Sequence, residues 1–409
     1  MKRVLFVDDE PKLLDGLRRM LRVMRNDWEM EFAADGQEAL AILDAKPFNV
    51  VVTDMRMPGM DGTELLNKIK DLHPQVVRIV LSGHSEKEMV LKTVGLAHQY
   101  LSKPCDADSL KATIARACSL RNLMDDEGLI QAVSEIRSLP SLPSLYSEVM
   151  KEMASPGGSL NRVGEIISRD TGMSAKILQL VNSAFFGLPT RISNPVRAVN
   201  LLGLETVKAL VLSVKIFSEF SRAGSNYCRI DELWKHSIST ALYARDIARE
   251  EKRSQDKIDD AFMAGLLHDV GKLILLDKFP EKCQKILELA DSEKCHAWEA
   301  EQRLIGTTHA RIGAYLLGIW GLSESIVETV AYHHSPHECV EANLTLATVY
   351  LANILSKEPS TSNLKKAMSG ANGEYLEQFG ISDRIETWRA VCDQASQGED
   401  DALQDPVCG

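Results

Sequence analysis

Residues 49–57 read NVVVTDMRM. Three consecutive valines, Val50 to Val52, suit a strand buried on both faces, as in a parallel sheet. Thr53 leads into Asp54, and Pro58-Gly59 makes a turn. Asp54 therefore falls at the carboxyl end of that strand, the edge of an open α/β sheet where ligands bind. One acid at a strand end is ordinary; the surrounding 120 residues give this one weight.

Working outward, Val4–Val7 is a short apolar run ending in Asp8-Asp9. Pro11–Arg25 carries Leu13, Leu14, Leu17, Met20 and Leu21 at helical spacing. Strands are expected at Met30–Ala34, Val77–Leu81 and Gln99–Leu101, and helices at Gly36–Ala45, Thr63–Lys70 and Glu86–Val94. A longer helix over Asp108–Leu123 takes Asp108 as its N-cap. Five strands alternating with five helices imply a doubly wound parallel sheet. Asp8, Asp9, Asp54, Ser82 and Lys103 then all lie at or just after strand ends on one edge. Three crowded carboxylates call for a hard cation such as Mg²⁺. With Lys103 and the Ser82 hydroxyl they suit a phosphoryl group bound to a carboxylate nucleophile.

The 409 residues leave room for two or three domains, and 44% hydrophobic content allows a sizeable core. A net charge of −11 argues against a general electrostatic grip on nucleic acid or an anionic membrane. No apolar run reaches the roughly 18 residues of a membrane helix. MKRVLFVDDE at the start lacks the apolar segment of a signal peptide. Eight cysteines without a CxxC pair suggest reduced thiols and a cytoplasmic setting.

VDDE at 7–10, TDMRMPGMDG at 53–62, LSGHS at 81–85 and YLSKP at 100–104 make residues 1–121 resemble the receiver domain of two-component response regulators, a flavodoxin-like fold. The resemblance implies that Asp54 is the phospho-acceptor. It implies Mg²⁺ at Asp8, Asp9, Asp54 and the Arg56 backbone. Ser82 is the implied switch hydroxyl, Tyr100 the switch aromatic that turns inward, and Lys103 the phosphate-pairing lysine before a cis peptide to Pro104. Tyr100 also reads as a half-buried strand aromatic. A sensor histidine kinase is the implied partner, and a phosphorylation-dependent homodimer is a further expectation.

Residues 122–138 read as a helical connector, with Leu129, Val133 and Ile136 on one face. Beyond it the pattern is helical throughout, giving an all-α domain over 139–335. Helices are expected at Asn161–Arg169, Ser174–Asn182 after a Thr171-Gly172 break, Val196–Leu201, Thr206–Phe220, Asp231–Glu250 with Asp231 as its cap, Ile258–Leu267 and Asn343–Leu355. His236, His268, Asp269, His309, His333 and His334 are ligand types for Fe, Mn or Zn. LPSLP at 139–143, VNSAFFGLP at 181–189, AVNLLGLETVKALVLS at 198–213, LWKHSISTALYARDIA at 233–248, AGLLHDVGKL at 264–273 and THARIGAYLLGIWGL at 308–322 resemble the HDOD output domain. That domain is related to the HD-type metal-dependent phosphohydrolases and the HD-GYP cyclic-di-GMP phosphodiesterases. Two departures stand out. Asn353 occupies the position of a distal metal-binding Asp, and no GYP follows His334. HDOD domains are taken as non-catalytic, so the six residues are read as a vestigial metal site with no catalytic residue assigned.

Residues 336–409 are expected to add helices over Leu364–Phe379 and Asp383–Cys392 and a disordered acidic tail from Ala395. The combined reading is a cytoplasmic response regulator, phosphorylated on Asp54, acting through an HDOD domain that binds a protein partner. The alternative is a phosphorylation-controlled HD-type phosphohydrolase for cyclic-di-GMP or another nucleotide. A DNA-binding regulator is disfavoured, because no basic recognition helix follows the connector.

Overall fold

The computed structural model describes residues 2–392, apart from 83–95, 121–122, 125, 137–138, 142, 156–157, 183–190, 204–205, 208–217, 220–226, 358–369 and 382. The expected helix Glu86–Val94 and the acidic tail lie outside the described residues.

The N-terminal unit alternates β1 (Lys2–Val7), α1 (Pro11–Met20), β2 (Trp28–Ala33), α2 (Gly36–Ala45), β3 (Val50–Asp54), α3 (Gly62–Leu72), β4 (Val77–Ser82), β5 (Gln99–Ser102) and α4 (Ala107–Leu120). The five strands form one parallel sheet in the order β2-β1-β3-β4-β5. The register pairs Val7 with Thr53, Asp54 with Leu81 and Ser82 with Ser102, which aligns the carboxyl ends. Val50, Val51 and Val52 are all buried, as a strand covered on both faces requires. The cap of α4 differs from the sequence reading. Asp106, not Asp108, accepts hydrogen bonds from the backbone N–H groups of Asp108 and Ser109. Asp108 is therefore already inside the first turn, where an acid still suits the helix dipole.

The connector contains α5 (Glu127–Ser134), capped by the Asp126 carboxylate, with Leu129, Val133 and Ile136 buried. After a short strand, Pro140–Ser141, come α6 (Pro143–Ala154), α7 (Leu160–Ser168), α8 (Thr171–Val181) and α9 (Pro195–Leu202). Then follow α10 (Tyr227–Glu250), α11 (Gln255–Leu267), α12 (Val270–Lys278), α13 (Pro280–Glu293), α14 (Ala297–Ile305), α15 (His309–Ile319), α16 (Glu324–Tyr332), α17 (Leu344–Lys357) and α18 (Gly370–Glu377). Three expectations need correction. Thr171-Gly172 opens α8 rather than breaking the chain, because Asp170 caps the Met173 N–H. Asp231 lies inside α10, not at its cap. Within the expected helix Thr206–Phe220, Ser218–Glu219 pairs as a strand with Pro140–Ser141, and most of the remainder lies outside the described residues.

One continuous apolar core runs from Val4, Phe6 and Leu101 of the sheet through Ile114 and Leu120 of α4 into Tyr315, Leu316 and Ile319 of α15. The receiver-like unit and the helical unit therefore share a core across β5 and α4. No described helix is long and apolar enough to cross a membrane.

Where α12 crosses α15, Gly271 lies against the backbone of His309. A Cβ on Gly271 would sit 1.9 Å from the His309 carbonyl oxygen and 3.0 Å from the Gly313 nitrogen. Gly271→Ala is expected to cost about 1–3 kcal/mol through overpacking, read as a lower denaturation midpoint of the helical unit. An unchanged midpoint would mean the helices separate freely there.

Candidate functional site

At the sheet edge, Asp8 follows β1, Asp54 ends β3 and Lys103 follows β5. Asp8 is 1% exposed and Asp54 6%, so both need partners. Lys103 Nζ supplies them, 2.8 Å from Asp8 Oδ2 and in a short contact with Asp54 Oδ1. The other Asp54 oxygen accepts the Arg56 backbone N–H at 3.1 Å. Burial pulls the Lys103 ammonium towards neutrality, but its hydrogen bonds and charge contacts with Asp54 and Asp8 outweigh this and hold its pKa above the ordinary value. Gly62 gives the edge its tightness. A Cβ there would lie 2.3 Å from the Asp54 carbonyl oxygen.

Asp9 is half-buried beside Asp8, and Lys103-Pro104 is cis, as the sequence led one to expect. The Ser82 backbone ends β4, and its side chain lies outside the described residues. Tyr100 is fully buried among Met55, Leu66, Val80, Leu96 and Ala97, not half-buried. Asp8 and Asp54 meet at Lys103, and carboxylate oxygens are the ligand type that suits a hard cation such as Mg²⁺.

The second cluster forms where α10, α12, α15 and the end of α16 meet. His236 comes from α10; His268 and Asp269 form the corner between α11 and α12; His309 opens α15; His333 and His334 close α16. All six residues singled out in the sequence come together. Asp269 is 1% exposed. Its Oδ1 faces His309 Nε2 at 3.1 Å and His333 Nε2 at 3.6 Å. Its Oδ2 faces His268 Nε2 at 3.4 Å, His236 Nε2 at 3.7 Å and Lys272 Nζ at 2.6 Å. His334 Nε2 lies 3.0 Å from His309 Nε2. One carboxylate thus stands between two donor groups, Asp269 with His309, His333 and His334, and Asp269 with His236 and His268.

The far side of each ring fixes what the near side offers. His268 Nδ1 donates to the Gly265 carbonyl at 2.6 Å, and His333 Nδ1 to that of Val330 at 2.8 Å. His309 Nδ1 is held by Glu301 at 2.7 Å. A neutral imidazole that donates through Nδ1 presents a lone pair at Nε2. Burial, with the Asp269 contacts opposing it, pushes His333 down to about 3, so it stays neutral. Its Nε2 and the Asp269 Oδ1 both lack a hydrogen-bond partner, as does Asn353 Oδ1. Acceptors facing acceptors in a buried site are repulsive unless a cation lies between them. Burial also lowers His236, to about 3, with His268 adding to the effect. His309 moves the other way. Burial pulls it down, but the Glu301 carboxylate and the Asp269 contact hold it above its ordinary value. This donor set fits Zn, Fe or Mn better than Mg²⁺.

Glu301 was not singled out from the sequence. It is buried on α14 and accepts both the backbone N–H and the Nδ1 of His309. A metal-ligating His needs such an acceptor behind it, and that need was the available signal. In front of three of the rings opens a cavity of about 400 Å³ lined by Lys272, Trp298, Tyr350, Asn353 and Lys357 together with His309, His333 and His334.

The chain thus joins a five-stranded sheet with an acidic edge to a helical domain with an HD corner. Residues 4–115 match the response regulator receiver domain, and residues 139–336 match the HDOD domain. The chain belongs to the response regulators built from a receiver and an HDOD domain. A protein of Treponema pallidum is 27% identical over 271 residues, covering 65% of this chain and 52% of its own. The hydrogenase transcriptional regulatory protein HoxA of Cupriavidus necator is 32% identical over 181 residues, covering 41% and 36%. The chain thus spans about half the length, or less, of these curated relatives. Among solved structures, the signal receiver domain of an HD domain-containing protein from Pseudomonas fluorescens is similar at 29% identity and TM-score 0.28, covering 29% of this chain and 87% of that one.

If the imidazoles hold an ion, Glu301→Gln should weaken its binding about 10–100-fold, and Asp269→Ala should abolish it. Titration with Co²⁺, followed by visible absorption, checks both. Equal affinity in all three proteins would place the ion elsewhere.

Proposed function

We propose that this protein is a phosphorylation-operated regulator in a two-component relay. A partner sensor histidine kinase donates a phosphoryl group to Asp54. A carboxylate oxygen attacks phosphorus, the P–N bond to the kinase histidine breaks, and an acyl phosphate forms. The supporting observation is the pairing at the edge, where one Asp54 oxygen is held by Lys103 and the other by the Arg56 N–H, with Asp8 alongside. Mg²⁺, when bound by Asp8, Asp9, Asp54 and the Arg56 backbone, neutralises the phosphoryl oxygens. Lys103 pairs with the roughly −1.5 to −2 charge that the phosphoryl group brings.

The HDOD domain is the output module, non-catalytic, passing the receiver's state to a protein partner. What supports this is the charge of its donor set, one carboxylate among five imidazoles, with a neutral amide at Asn353. A second reading rests on the converging Nε2 atoms and on the cavity with Lys272 and Lys357. Under it, the domain holds Fe, Mn or Zn and hydrolyses a phosphodiester.

Asp54→Asn is expected to abolish labelling by acetyl phosphate, and undiminished labelling would overturn the acceptor assignment. Cyclic-di-GMP with Mn²⁺ or Fe²⁺, before and after phosphorylation, separates the output readings. Turnover that His268→Ala removes would establish the hydrolase; no turnover in either state leaves the interaction module.

A further inference from the structure

Helix α15 runs from the imidazole cluster to the receiver strand β5. Its first residue is His309, wedged between Glu301 and Asp269. Near its other end, about 14 Å along the axis, the Gly318 carbonyl accepts a hydrogen bond from the Gln99 amide of β5 at 3.3 Å. Gly318 also lets Leu120 of α4 pack directly on the helix backbone. A Cβ there would meet the Leu120 methyl carbons at 2.5 and 2.6 Å. Midway, the Tyr315 hydroxyl meets Ser134 Oγ at 3.0 Å. The Ser134 carbonyl, at the end of α5, accepts His98 Nε2 at 2.9 Å and Arg78 Nη2 at 3.3 Å. Arg78 and His98 belong to the receiver and are buried. Arg78 spends its remaining donors on the carbonyls of Leu96, Pro74 and Val76.

On the receiver side, β5 completes the path. Gln99 opens the strand, and Lys103 lies four residues on, about 13 Å away, in contact with Asp54. We propose that the phosphoryl state of Asp54 sets the seat of α15 through β5, and through His309 sets the geometry of the imidazole cluster. Lys103 is drawn to an incoming phosphoryl group, and the strand that carries it is bonded to α15 at its far end. A contact packed against bare helix backbone cannot absorb a shift of that strand, so the helix moves with it or the contact breaks. The coupling is reciprocal. An ion held at His309 alters the affinity of the Asp54 edge for beryllofluoride by the same factor. This inference rests on reading Asp54 as the phospho-acceptor.

The test uses the full-length protein with Mg²⁺, with and without beryllofluoride, whose binding is read directly by ¹⁹F NMR. Two quantities are followed, the dissociation constant for Co²⁺ and backbone amide exchange across residues 309–319. In the wild type, beryllofluoride should change the Co²⁺ constant about fivefold or more and alter exchange in α15. The double variant Gln99→Ala, Tyr315→Phe should bind both probes yet lose these responses. Bound beryllofluoride with no response in α15, or the same response in the double variant, overturns the inference alone. Failure of beryllofluoride to bind overturns the acceptor reading and the inference with it. If Co²⁺ is not taken up, the exchange arm decides by itself.

Discussion

The buried carboxylate of Asp269 is the constraint around which the helical domain is arranged. A lone ionised carboxylate in a protein interior is costly, and it persists only where cations and donors surround it. Burial alone would raise its pKa. The neighbouring His268 and the Lys272 ammonium, with the close contact of His309, hold it well below the ordinary carboxylate range. Supplying those neighbours requires four helices to converge on one point. That explains why α12 and α15 approach closely enough to demand glycine at 271 and 313. It also explains Glu301, a second buried acid stabilised by sharing His309 with Asp269.

The receiver edge obeys the same electrostatics with different ligands. There too a lysine stands against buried acids, Lys103 against Asp8 and Asp54. The chemistry diverges in the remaining donors. Carboxylate oxygens at the sheet edge favour a hard ion and a phosphoryl group; imidazole nitrogens in the helical domain favour a borderline metal. Two such donor sets select different ions, so each can be loaded without emptying the other.

Much of this was legible in the sequence. The valine run of β3, the acids after β1 and β3 and the HD corner each carry their meaning within a few residues, and periodicity located most of the helices. What stayed hidden depends on distant contacts. Glu301 sits in a charged, half-exposed helix, AWEAEQRLI, that looks solvated until the fold brings His309 against it. The sequence does not single out the Asp106 cap because two acids, Asp106 and Asp108, compete for the position, and only backbone geometry selects one. Tyr100 was read as half-buried because strand alternation does not reveal that Leu96 and Ala97 fold back over it. Gln99 and Gly318 are 219 residues apart, and no local pattern links them.

That last pair changes how the receiver must act on its output domain. The face formed by β5 and α4 is not free surface but part of a core shared with α15. A homodimer through this face would first have to expose Leu120, Tyr315 and their neighbours to water, at a cost of about 1.5–3 kcal/mol for each large apolar side chain. The proposed coupling asks for less: a few kcal/mol at Asp54 would bias an interface that stays packed in both states, by moving one helix against it. Interfaces of this kind switch between discrete arrangements because close-packed side chains do not deform continuously. On the proposed coupling, the core shared by the two domains is also what gives a small change at Asp54 a route to Asp269.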